Sequence, residues 1–162
     1  MAAVDYFLKI DGIQGESLDS KHKGEIQLES FSWGETNLGT APSAGGGGAG
    51  KVQMQDLHFV MQINKASPKL MLACASGKHI KQAVLTARKS GKAQQEFLVF
   101  KFTDVLVSSY QTGGSQHAEV LPMDQVSFNF ARIELEYRPQ KADGSLDAPI
   151  KAGWDLKTNK PV

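Results

Sequence analysis

The chain has 162 residues, 41% hydrophobic and 22% charged, with a formal net charge of +1. That length suits one domain with a self-sufficient core, and the reading is a single domain over 1–162. Eighteen basic residues interspersed with seventeen acidic ones give no field to attract nucleic acid or an anionic membrane.

The start, Met1-Ala2-Ala3-Val4-Asp5, has no basic region and no apolar run of signal-peptide length, so Sec-type export is not expected. No window is apolar for long enough to span a membrane as a helix. A single cysteine, Cys74, excludes an intrachain disulfide and suits synthesis in a reducing cytoplasm.

In chain order, Tyr6, Leu8 and Ile10 alternate as on a half-buried strand. Ile26 and Leu28 alternate next, but Phe31 and Trp33 then take the opposite parity, with Ser30 and Ser32 between and before them. Since a one-residue slip turns a strand over, a bulge or bend is predicted near Glu29-Ser30. Parity flips twice more, from Val52 and Met54 to Leu57, Phe59, Met61 and Ile63, and from Val126, Phe128 and Phe130 to Ile133, Leu135 and Tyr137. Strands that change face midway suit a small barrel or a coiled sheet, each strand serving two walls. Further strands are predicted over 83–88, 96–102, 105–110 and 151–157.

One segment departs from this period. Ser67 as a cap, Pro68 at the first helical position and Gly77 just past the end predict one short helix over 68–76, from Pro68 to Ser76. Polar, glycine-rich loops fall at 11–24, 34–51, 112–123 and 141–149. The fold class is therefore mainly β: a small β-barrel of two packed sheets with one short α-helix and a long Gly-rich loop.

That loop contains Gly45, four residues, then Gly50-Lys51, one hydroxyl short of the phosphate-binding G-x-x-x-x-G-K-[ST]. The neighbours are wrong for it. No buried strand precedes the glycines, Val52 stands at the magnesium position, and a strand pattern rather than a helix follows. The glycines thus belong either to a surface loop or to one that orders only against another subunit.

Other chemistry finds little support. The histidines His22, His58, His79 and His117 show no metal-ligand spacing, and no metal or cofactor is expected. Cys74 with His79 could make a nucleophile and base, but a cysteine on the apolar stripe of a short helix reads as an inert core residue, and Ser17 after Gly15-Glu16 lies in a polar loop rather than at a nucleophile elbow. Glu134 and Glu136 alternate with Ile133, Leu135 and Tyr137 as a solvated or interface face rather than an acid–base pair, and His58 lies opposite Phe59 on the solvent or partner side. No catalytic residue is assigned.

Six segments in order resemble one family: "HKGEIQLESFSWG" from His22, "GGGGAGKVQMQDLHF" from Gly45, "SPKLMLACASGKH" from Ser67, "VLVSSYQTGGS" from Val105, "FNFARIELEYRPQKADGS" from Phe128 and "GWDLKTN" from Gly153. The likeness, from Val4 to Asn159, is to the haemolysin-coregulated protein family, tube subunits of type VI secretion systems.

The resemblance implies a β-barrel with one flanking helix and a homohexameric ring. Rings stack into a hollow tube inside a contractile sheath, capped by a spike. The tube is exported without a signal peptide and carries small effector proteins. It also implies a subunit-contacting loop that includes Leu38, Gly45, Gly46, Gly47, Gly48 and Lys51. If Phe31 and Trp33 fill the interior, Ser30 and Ser32 face the lumen. The competing readings are a small-ligand-binding secreted barrel, which would show a large apolar cavity, and a secreted hydrolase using Cys74 or Ser17.

Overall fold

Each place where the apolar register changes parity is a place where one strand stops and another starts. The computed structural model describes residues 4–37, 51–91 and 93–162. Strand β1 (Val4–Ile10) is followed by β2 (Ile26–Leu28), β3 (Ser30–Ser32), β4 (Glu35–Asn37), β5 (Val52–Met54) and β6 (Leu57–Gln62). Helix α1 (Ser67–Ser76) comes next, then β7 (His79–Lys89), β8 (Glu96–Gly113), β9 (Met123–Asn129), β10 (Arg132–Tyr137), β11 (Ile150–Asp155) and β12 (Lys160–Pro161). The bend predicted near Glu29 separates β2 from β3, Gln55-Asp56 separates β5 from β6, and Phe130-Ala131 separates β9 from β10.

The fold is mainly β with one helix and two sheets. Its ten-stranded antiparallel sheet runs β12-β11-β10-β8-β7-β1-β2, with β9 added to β8, β6 to β9 and β3 to β6. The second sheet is the ribbon β4-β5. The sheet coils without closing into a barrel, because the chain bends at Glu29 between its two three-residue strands. There β2 pairs only with β1 and β3 only with β6. A backbone bond from Glu29 N–H to the Val60 carbonyl, 2.8 Å, spans that corner.

The predicted strands over 96–102 and 105–110 are one strand, β8. Along one edge it pairs with β7, and along the other it exchanges β10 for β9. The exchange falls at Asp104, which takes φ 56° so that the chain bends without leaving the sheet.

Leu8, Ile26, Leu57, Met61, Leu85 and Val105 are fully buried around an aromatic centre. Phe59, Phe128 and Phe102 pack edge to face at centroid separations of 6.2 and 5.1 Å, and Phe100 stacks on Phe102. The interior is filled by rings rather than hollow, and truncating one to alanine is worth about 3–5 kcal/mol.

Helix α1 lays Leu70 and Ala73 on this core. It begins one residue before the predicted start, and Ser67 is not its cap. The cap position is Ala66, with no side-chain bond. The Ser67 hydroxyl instead donates to buried Asp124, while the Asn64 side chain accepts the Ala66 N–H. Gly77 closes the helix with φ 65°, as its position predicts.

Candidate functional site

The two serines singled out by sequence lie where strand alternation puts them. On β3, Phe31 turns inward to pack edge-on against Tyr6 and Phe100, and Trp33 follows it onto Phe100. Ser30 and Ser32 are exposed on the opposite side. Register then carries that face across three more strands. One row reads Ser32, His58, Ser127, Ser109; the next reads Ser30, Val60, Gln125, Gln111. A third, shorter row reads Gln62, Met123, Gly113.

None of these eleven positions carries Lys, Arg, Asp or Glu, although charged residues make up 22% of the chain. A random draw would put two or three there. The face is an array of hydroxyls and amides, with Val60 and Met123 as apolar insets and His58 in its first row. His58 is tied down by a 3.0 Å bond between Nδ1 and the Ser127 hydroxyl. At the margin, Ser108 donates to Asp56. Such a face offers short, uncharged hydrogen-bonding groups to whatever lies against it, with the Asp56 carboxylate only at its edge.

Among the described residues, the other candidates are not joined to one another by hydrogen bonds. Cys74 is half-buried on α1, and no hydrogen bond among the described residues joins it to His79. Ser17 is buried and braces a loop: its N–H donates to the Glu25 carbonyl and its Oγ accepts the Asp19 N–H. Among the described residues no group of His, Cys, Asp and Glu could hold a metal ion. Leu38 and Gly45, Gly46, Gly47 and Gly48 lie outside the described residues; Lys51 is exposed immediately before β5.

Two features escaped the sequence reading. The 14–25 loop is clasped to the sheet by a stack in which His22 lies flat on Phe7, 4.4 Å between centroids, and the Arg88 guanidinium also lies over that ring. The His22 nitrogens face Glu25 and Glu96, and Arg88 grips both oxygens of Asp19 at 2.8 and 2.9 Å. That guanidinium holds the Asp19 carboxyl well below the usual carboxylate range. The second feature is an open groove of about 760 Å³ between the β4-β5 ribbon and β10-β11, lined by Trp33, Met54, Ile133, Leu135 and Trp154.

A mainly β chain that spreads an uncharged, hydrogen-bonding sheet face has the make-up of an assembly or binding module. The particular family follows from comparison. The chain belongs to the Hcp family of the type VI secretion system, its residues 7–137 matching the family described as "Type VI secretion system effector, Hcp". It is 48% identical to protein Hcp1 of Pseudomonas aeruginosa over 159 residues, covering 97% of this chain and 98% of that one. Hcp1 from Salmonella typhimurium, 39% identical, superposes with a TM-score of 0.80 over 99% of this chain and 100% of its own. Another type six secretion system protein, 34% identical, gives 0.92 with the same coverage.

Proposed function

We propose that this chain is the tube subunit of a type VI secretion system. Six copies close into a ring, rings stack into a hollow tube, and small effector proteins travel inside. The observation that carries the reading is the uncharged face continuing from Ser30 and Ser32 across β3, β6, β9 and β8. A lumen wall must admit a folded protein and release it later. Short neutral hydroxyls and amides give many weak contacts without the long-range pull that a charged wall would exert.

In this reading Leu38, Gly45, Gly46, Gly47, Gly48 and Lys51 belong to a segment that meets a neighbouring subunit or ring. The outer partners are the contractile sheath and the spike, and the protein is made in the cytoplasm and leaves through the secretion apparatus. A closed ring needs heterologous contacts, one patch meeting a different patch on the next copy. The near-neutral net charge suits the stacking of many rings, since strongly charged ones would repel.

The test is light scattering across a gel-filtration peak. A mass near six copies is expected, and a clean monomer at tens of micromolar overturns the reading. The groove beside the β4-β5 ribbon favours the second reading, a small-ligand carrier. Both tryptophans of the chain line it, so intrinsic fluorescence reports any occupant. An unchanged spectrum across a panel of apolar ligands disposes of that alternative.

A further inference from the structure

Helix α1 is apolar on two sides. Leu70 and Ala73 are buried in the core, while the opposite side presents Pro68, Met71, Leu72 and Ala75 to solvent. Met71 is 53% exposed and Leu72 62%. A helix apolar all round belongs in an interior, so this outward stripe marks a surface awaiting cover. The charges it carries itself have one sign, with the Glu16 carboxylate reaching only its first end, where it accepts the Lys65 N–H at 3.0 Å. Lys65, Lys69 and Lys78 are all exposed, and the segment from 65 to 78 contains no carboxylate.

The complement lies on the same molecule. A recess of about 710 Å³ runs between the loop at 16–18, the outer edge of β2 and the end of β6. Its apolar contacts include Leu18, Ile63 and Leu121, and its charged lining is Asp5, Glu16 and Glu29. Asp5 faces Arg88 at 3.8 Å and Glu16 accepts the Lys65 N–H, which among the described residues leaves Glu29 as the carboxylate free to meet an incoming lysine. Leu18 is 91% exposed, yet it stands on an anchored loop. On one side Ser17 exchanges backbone bonds with Glu25 and Gly24, and on the other Asp19 is gripped by Arg88. An apolar residue whose neighbours already fix its backbone has less freedom to lose on docking.

From these two surfaces we infer that the basic, apolar face of α1 docks into the acidic recess of a second copy of this chain. The contact is heterologous and builds order into a growing assembly. It deepens the tube reading, on which it rests, by naming which surfaces meet. The apolar residues supply the burial. The lysine and carboxylate rims fix the register and disfavour helix-to-helix or recess-to-recess encounters, where like charges would oppose.

Charge reversal on the full-length chain tests it, with assembly followed by light scattering over a dilution series. Lys69→Glu and Glu29→Lys are both exposed changes, and circular dichroism checks that each variant folds. Each alone is expected to raise the assembly midpoint concentration by about tenfold or more, equivalent to about 1.4 kcal/mol. The two together are expected to restore it towards the wild-type value. Leu72→Ser is expected to weaken assembly without rescue by Glu29→Lys. If the wild type assembles and the single reversals assemble equally well, this contact is wrong, the tube reading stands, and the α1 face belongs to a different protein. If the double reversal is no better than either single one, the pairing is wrong. A wild type that stays monomeric overturns both.

Discussion

Replacing Ser67 with alanine removes one hydroxyl from a buried cluster that ties α1 to the sheet. Asp124 is 0% exposed and Ser67 3%. The Asp124 Oδ2 accepts the Ser67 hydroxyl at 2.6 Å and the Tyr110 hydroxyl at 3.0 Å, while Oδ1 is buried with no partner. A carboxylate already short of donors cannot turn to water when one is taken away. A hydrogen bond to a charged group is worth about 1.5–3 kcal/mol, and the lost acceptor for the Asn64 N–H adds to it. In a domain of this size that corresponds to a fall in melting temperature of about 3–12 °C. Equilibrium urea unfolding gives the free energy, with Ser30→Ala on the exposed face as the control, expected to stay within about 0.5 kcal/mol of wild type. The double variant Ser67→Ala/Tyr110→Phe should lose more than the sum of its parts, since it strips the last donor. A Ser67→Ala loss no larger than that of the control would refute the assignment of this cluster as the anchor of the helix.

Three further outcomes are expected. Because Arg88 depresses the Asp19 pKa, the pair stabilises the fold above the ordinary Asp pKa of about 3.9, and this contribution is lost as pH falls through the lowered value. Asp19→Asn should therefore flatten the acid limb of urea midpoints measured from pH 6 downwards, and an unchanged limb would count against it. A bulky residue at Ser32 should reduce effector retention in pull-downs while leaving the ring mass intact; equal retention across several effectors removes Ser32 from the lumen. Deleting Gly45–Gly48 should cut filament number in electron micrographs far more than the far-ultraviolet dichroism of the subunit, and parallel losses would refute a stacking role.

The strand breaks were legible because parity is a local property. Once Phe31 follows Leu28 at odd spacing, a bend at Glu29 is needed to keep both apolar. Gly77 was legible for a similar reason, since only the left-handed region ends that helix turn comfortably. Continuity of β8 through Asp104 was not, because a left-handed aspartate reads as a turn until the strands on either side are known. The role of Ser67 depends on Asp124, fifty-seven positions away, and local capping rules pointed elsewhere. The face around Ser30 and Ser32 was half visible. The residues opposite Phe59 and Phe128 are neutral in the sequence, but that they form rows with the serines depends on which strand neighbours which.

The long strand β8 has a mechanical consequence. Its first half is stitched to β10 and its second to β9, with β7 alongside much of its length. The two walls of the subunit therefore share a covalent spine. A load applied to either wall passes into the other through peptide bonds instead of through side-chain contacts, so neither can peel away alone. Such a subunit withstands being pushed lengthwise as a unit and, when it fails, fails all at once.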